Sequence, residues 1–345
     1  MTVRRVPAEY RTIQAAVEDS GPGDTVRVAG GVYQEAVVVG PGKEGLAIIG
    51  SGPGDAVLQG DGTGVGFSIS GSARVTVAGF TVTGFATGIE ILTTDNVIRH
   101  VAVEGSGGNG ILVAASGTRN LIFQATVKGS ARDGLVVNGF RNWVLSSEFR
   151  DNGGDGIDFN GPLNVAYGNR ASGNGGGLNV MGNDTLVIAN RFTGNGSGIA
   201  AAASAGHLVF DNVLSRNTER GASFLNVGGT LLLANTVDCN LAEGLRVDGG
   251  GGFRVVLNEV ENNGAQGIDL VGAVNLSVVD RNQVTKNGAA GIRVSSAAGF
   301  NAIRRNCLSG NRPDIEALPP FNLTNVFDEN RCETSVPPGL CACDR

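Results

Sequence analysis

Three aspartates in the first half of the chain, Asp133, Asp155 and Asp158, have the types and spacing that could do chemistry. Asp133 and Asp155 hold equivalent places in "SARDGLVVNG" (130–139) and "NGGDGIDFNG" (152–161), and Asp158 follows three residues after Asp155. Arg132, Arg150 and Asp151 stand in the adjoining turns, but no cation falls beside the aspartates on the extended segments themselves. Like charges held together are unfavourable unless a bound cation, a shared proton or a substrate offsets them. Oxygen ligands at Asp155 and Asp158 would suit calcium. Two such carboxylates could instead act as acid and base on a glycosidic bond. A solvated acidic patch, with the turn aspartates bonded to their own backbone, is the structural alternative. The amides of Asn138, Asn160 and Asn179 and the cations Arg132 and Arg150 complete the candidate set as substrate contacts.

A second set, Arg246, Asp269, Arg293 and Glu316, alternates in sign at the same phase of the pattern. An arginine beside a carboxylate has the parts for proton abstraction next to a uronate carboxylate. Regular alternation favours an exposed ion-pair ladder instead, worth roughly 0.2–1 kcal/mol per cross-strand pair. His100 and His207 are the only histidines. Both fall in strand-like runs, where packing or surface positions are expected rather than metal ligation.

These residues become neighbours only if something stacks them, and the pattern supplies it. A Gly-plus-apolar step recurs at Gly88, Gly110, Gly134, Gly156, Gly177, Gly198, Gly221, Gly244, Gly267 and Gly291, every 21 to 24 residues. Two asparagine columns run with it, Asn169 to Asn330 and, five residues behind, Asn174 to Asn311. Internal repetition at this period means a solenoid. Each unit holds short runs with period-two alternation, as in "FRVVLNEV", with no room for a helix, so the repeat is a coil of stacked short strands. Asparagine tolerates left-handed corners and its amide can bond its equivalent one coil along, and glycine serves the remaining corners. Alternation places Glu90, Leu112, Val136, Asp158, Asn179, Ala200, Ser223, Arg246, Asp269, Arg293 and Glu316 in one outward column.

With these features the chain resembles the right-handed parallel β-helix superfamily, the pectate-lyase-like fold, over nearly its whole length. The start strengthens the resemblance: "YRTIQAAVEDSGPGDTVRVAGGVYQEAVVV" carries a short amphipathic stretch near 13–18 and then Gly31, Tyr33 and Glu35 in a Gly-x-Tyr-x-Glu run. In that family the helix caps the open end, where strand edges and core would otherwise be exposed. The expected architecture is all-β: a cap over 1–30, a single parallel β-helix over 31–316, and a C-terminal cap over 317–345. The catalytic motifs of polygalacturonases, pectin methylesterases, pectate lyases and alginate epimerases are not matched, and two histidines and two methionines argue against copper loading.

Composition limits the rest. Net charge is −6 and no Lys/Arg cluster is present, which disfavours a nucleic-acid partner. No apolar run reaches the roughly 18 residues needed to span a bilayer, and "MTVRRVPAEY" is not followed by a hydrophobic stretch as a secretory signal would be. Of five cysteines, Cys239 and Cys307 are expected as core-filling thiols. A Cys332–Cys341 disulfide fits the tail and an oxidising or surface location, while Cys341 and Cys343 are too close for a usual zinc pair. Acceptor-like Asn183, Asn195, Asn275 and Asn322 are the chance yield of an Asn-rich repeat. The expected protein is a surface or extracellular β-helix that binds, and as an enzyme would cleave by lyase or hydrolase chemistry, an acidic polysaccharide. The alternative is a non-catalytic component of a spore coat, envelope or fibre, which scarce aromatics and missing motifs favour. A cytoplasmic location stays open.

Overall fold

The computed structural model describes residues 1–319 and 324–342; Cys343 and the acceptor Asn322 lie outside the described residues. The described chain falls into two compact units, Met1–Gly175 and Gly176–Arg345. Both are built of short parallel strands, each paired with its equivalent about one repeat away. In the first unit, Thr87–Ile91, Ile111–Val113, Leu135–Val137 and Asp155–Phe159 stack in register. In the second, Ser197–Ala202, Ala222–Gly228, Leu245–Gly251, Ile268–Val271, Ile292–Val294 and Ile315–Ala317 do the same. A second sheet in each unit bends at a corner, as between Leu121–Phe123 and Thr126–Lys128.

Strict alternation decides which side chains enter the core. Ile111, Val113, Leu135, Val137, Ile157 and Phe159 are buried, and the residues between them, Leu112, Val136 and Asp158, form the outer column, in which Val136 is covered as well. Phenylalanines thicken the core where β-branched residues would leave gaps, with Phe67 edge-on to Phe80 and Phe224 to Phe253 at 5.1 and 5.6 Å.

The N-terminal helix Ile13–Asp19 buries Ile13, Ala16 and Val17. Its free N–H groups explain the Glu in Gly-x-Tyr-x-Glu: Glu35 accepts from the backbone N–H groups of Ile13 and Gln14, both at 2.8 Å, and Thr12 accepts from Ala15. Cys332 and Cys341 form a disulfide with Cα atoms 5.3 Å apart.

The asparagine ladders are present, but the corner argument needs correcting. In the second unit Asn190, Asn212, Asn235, Asn258, Asn282, Asn306 and Asn330 are linked by backbone N–H to side-chain Oδ1 bonds of 2.9–3.1 Å. A second column runs from Asn195 to Asn311 and ends on Asp314, whose carboxylate accepts from the Asn311 backbone and amide. The left-handed residue is not the asparagine but the one before it: Ala189, Asp211, Ala234, Leu257, Arg281 and Arg305 all have φ near +55°. The coil therefore imposes the strained conformation on whatever stands there, and the next asparagine turns inward to bond its neighbours. Each such buried bond contributes about 1 kcal/mol net, and an orphaned amide would cost more.

The repeating Gly-apolar step is corrected too. These glycines are needed for space, not for φ. A Cβ on Gly267 would lie 2.6 Å from Val284 Cγ1 and 2.7 Å from the Gly291 carbonyl oxygen one coil along. Cys239 and Cys307 are exposed free thiols rather than core fillers. Cys239 occupies a left-handed corner, and Cys307 sits on the outward phase of its strand beside buried Leu308.

Candidate active site

Asp133 and Asp155 stand at the same corner of consecutive coils in the first unit. The Asp155 backbone N–H donates to Asp133 Oδ1 at 2.7 Å, and the Asp133 N–H donates to Asn109 Oδ1 at 3.3 Å. Asn109 thus begins an outer column that sequence reasoning missed; its place one repeat before Asp133 was the available signal. Glycines crowd this corner, and a Cβ on Gly154 would strike the Asp133 carboxylate.

Asp158 faces outward on the strand Asp155–Phe159, directly opposite Val136. Asn160 Nδ2 donates to Asp158 Oδ2 at 2.9 Å and to Asn138 Oδ1 at 3.0 Å, so one amide ties the two coils at the strand exit. Arg132 is exposed at the corner. Arg150 lies 3.7 Å from Glu148 and 3.6 Å from Asp151. Asn179 belongs to the second unit, facing outward opposite Ala200.

Electrostatics single out one member of this group. Burial raises the Asp155 carboxyl to about 6, and the neighbouring charges of Asp133 and Asp158 push the same way. A carboxyl poised there can give a proton near neutrality and take one back, which is what general acid–base chemistry requires. Among the described residues, no group of three or more His, Cys, Asp or Glu side chains is placed to hold a metal ion. An ion at Asp155 and Asp158 would have to draw on amide and backbone oxygens as well.

The second charged set differs from the expected exposed ladder. Register stacks Arg246, Asp269, Arg293 and Glu316 in sequence. Yet Asp269 is 0% exposed, because the Arg293 side chain covers it with bonds of 2.7 and 2.6 Å. Arg246 turns away to Glu243 and Asp248, at 2.8 and 2.9 Å, and Arg220 reaches Glu243 at 2.8 Å. Burial pushes the Asp269 carboxyl upward against the pull of Arg293. Burial also raises Glu243, but its own backbone N–H and the Arg246 and Arg220 guanidiniums outweigh that and leave it lowered.

Neither histidine presents a ligand cluster. His207 is buried in a ladder position, its Nδ1 accepting from the Thr185 N–H at 3.4 Å and its Nε2 2.9 Å from Ser204 Oγ. His100 is exposed and edge-on to Phe123. Among the described residues, no helix is long and apolar enough to cross a membrane.

Solved structures share this architecture. The A-module of mannuronan C-5 epimerase AlgE6 from Azotobacter vinelandii matches with a TM-score of 0.62 at 16% identity, covering 95% of each chain. The Dettilon tailspike protein matches with 0.67 at 16%, over 94% of this chain and 70% of that one. The catalytic unit of the thermostable GH87 alpha-1,3-glucanase from Streptomyces thermodiastaticus strain HF3-3 gives 0.54 at 17%, over 93% and 65%. Identities this low establish the fold alone. No curated protein matches the sequence. The family model for the right handed beta helix region matches residues 109–223 and 173–309, together more than half of the chain. The chain belongs to the right-handed β-helix family.

Proposed function

We propose that the outward face of the first unit binds a polysaccharide and that Asp155 is the proton donor to a glycosidic oxygen, with Asp158 as its ionised counterpart. The carrying observation is the corner itself: the Asp155 N–H bonds Asp133 Oδ1 at 2.7 Å, Asp158 follows on the same strand, and burial together with both neighbouring charges raises the Asp155 carboxyl to about 6. A shared negative site keeps one acid protonated while its partner stays charged, the division of labour that glycoside cleavage uses. Asn138 and Asn160, joined across consecutive coils, offer amide groups to sugar hydroxyls beside the acid pair. The epimerase and glucanase neighbours, whose names point to polysaccharide substrates, favour a glycan over other ligands.

An acidic polymer, the finer expectation, must offset the charge already present. Exposed Arg132 is the cation positioned to do so, and calcium shared between the aspartates and a uronate is a second route. A surface or extracellular location follows from a polymer substrate and accords with the disulfide.

The test assays polygalacturonate, alginate and a neutral α-glucan, each with calcium and with chelator, following reducing ends and ultraviolet absorbance. New reducing ends without new absorbance, falling at least 100-fold in Asp155→Asn while binding persists, support hydrolysis by Asp155. Turnover unchanged in Asp155→Asn contradicts it. Binding with no turnover on any polymer leaves the non-catalytic platform.

A further inference from the structure

Aromatic residues are scarce, with one Trp and three Tyr in 345 residues, and most phenylalanines are core, with Phe140, Phe210 and Phe300 exposed singly elsewhere. Yet Trp143 is 38% and Tyr167 50% exposed, on consecutive coils of one sheet face in the first unit. They sit on the outward columns of Leu121–Phe123, Trp143–Leu145 and Val165–Tyr167, which pair in register. Phe123 and Tyr167 share one column two coils apart, about 9.6 Å at the usual strand spacing, and Trp143 stands between them on the other column. Just past the strand ends lies a groove of about 560 Å³ lined by His100, Gln124, Thr126, Ser146, Glu148 and Arg170, among others. Glu148 and Arg170 are cross-strand neighbours there.

We propose that this face is a second glycan-binding surface, separate from the aspartates and independent of their chemistry, and that it takes a neutral oligosaccharide. The aromatic rings offer flat apolar area for the C–H faces of pyranose rings. The groove offers amide, hydroxyl, carboxylate and guanidinium groups for the hydroxyls at their edges. Glu148 also lies 3.7 Å from Arg150, so the preference for a neutral sugar rests on the aromatic rings rather than on the charge of the groove. Rigid aromatic side chains held on sheet strands have little conformational freedom to lose on binding.

Trp143 is the only tryptophan, so its emission reports this face directly. Asp158 and Trp143 lie on different sheets of the first unit, so a ligand held only at the aspartates leaves the signal unchanged. The probes are cellohexaose, xylohexaose and hexagalacturonate, titrated into the full chain. Expected are a saturable change in Trp143 emission with at least one neutral hexasaccharide, a loss of affinity of about tenfold or more in Tyr167→Ala, and no change in that affinity in Asp155→Asn. Arg170→Ala, a surface change in the groove, should weaken the same titration and serves if Tyr167→Ala fails to fold. No emission change with either neutral sugar overturns the proposal, as does full affinity in the folded variants. An emission change that follows protein concentration without sugar also overturns it, because it would mark the face as a contact between copies. Loss of turnover in Asp155→Asn with this titration intact separates the two sites.

Discussion

The acidic corner of the first unit and the charge cluster of the second use the same stacking to opposite ends. In the second, a buried carboxylate receives a guanidinium from the next coil, and Arg293 closes over Asp269. In the first, Asp155 meets Asp133 one coil before it and Asp158 three residues on, and its carboxyl rises to about 6. Stacking therefore treats charge in two ways: an opposite charge one coil along compensates a buried carboxylate, and at the acidic corner burial, reinforced by like charges, leaves one carboxyl raised.

The largest effect should come from breaking the compensated column. Arg293→Met leaves Asp269 buried without its cation, and removing one partner of a buried pair costs about 3–5 kcal/mol. Urea unfolding at pH 7 should show that loss, and it should shrink in acid as Asp269 takes a proton.

Asp155→Asn should do the reverse. The folded carboxyl lies above its ordinary value of 3.8, at about 6. Its contribution is fully present below 3.8 and is lost as pH rises through 6, so at pH 7 the ionised form opposes folding. Replacing it should raise stability at pH 7 by about 1–2 kcal/mol, less than the full shift because the carboxyl is only partly buried and its charge is screened. The stability difference between variant and wild type should grow between about pH 4 and pH 6 and stay flat above, measured by unfolding across that range.

Val136→Arg converts one arrangement toward the other by setting a cation opposite Asp158. It should lower the Asp155 midpoint by about one unit and move the acid limb of any cleavage profile with it. The smallest effect belongs to Arg220→Ala. Glu243 keeps Arg246, so the loss should be about 0.5–1 kcal/mol in the same unfolding assay.

Much of this was legible before any coordinates. The Gly-apolar step and period-two alternation carried the coil and, within each unit, the stacked strands, because parallel strands of fixed length leave one register that keeps Ile and Val inside. Three features were hidden for physical reasons. The left-handed corners fall on Ala189, Leu257 and Arg281, types with no preference for that conformation, since the coil and not the residue sets φ. Asp269 is buried by the length of Arg293, a side-chain conformation that spacing does not encode. The aromatic face around Trp143 lies on the second sheet, whose columns carry no glycine marker to align them. A further ladder, Asn96, Asn120, Asn142 and Asn164, was within reach of the same alignment and was missed there.

The central claim is that burial at a corner shared with Asp133 raises the Asp155 carboxyl to about 6. Carbon-13 carboxyl NMR titration of Asp155, in wild type and in Asp133→Asn, tests it most directly. A midpoint near 6 that falls when the Asp133 charge is removed is the expected result. An Asp155 midpoint at the ordinary aspartate value, indifferent to Asp133, would contradict it.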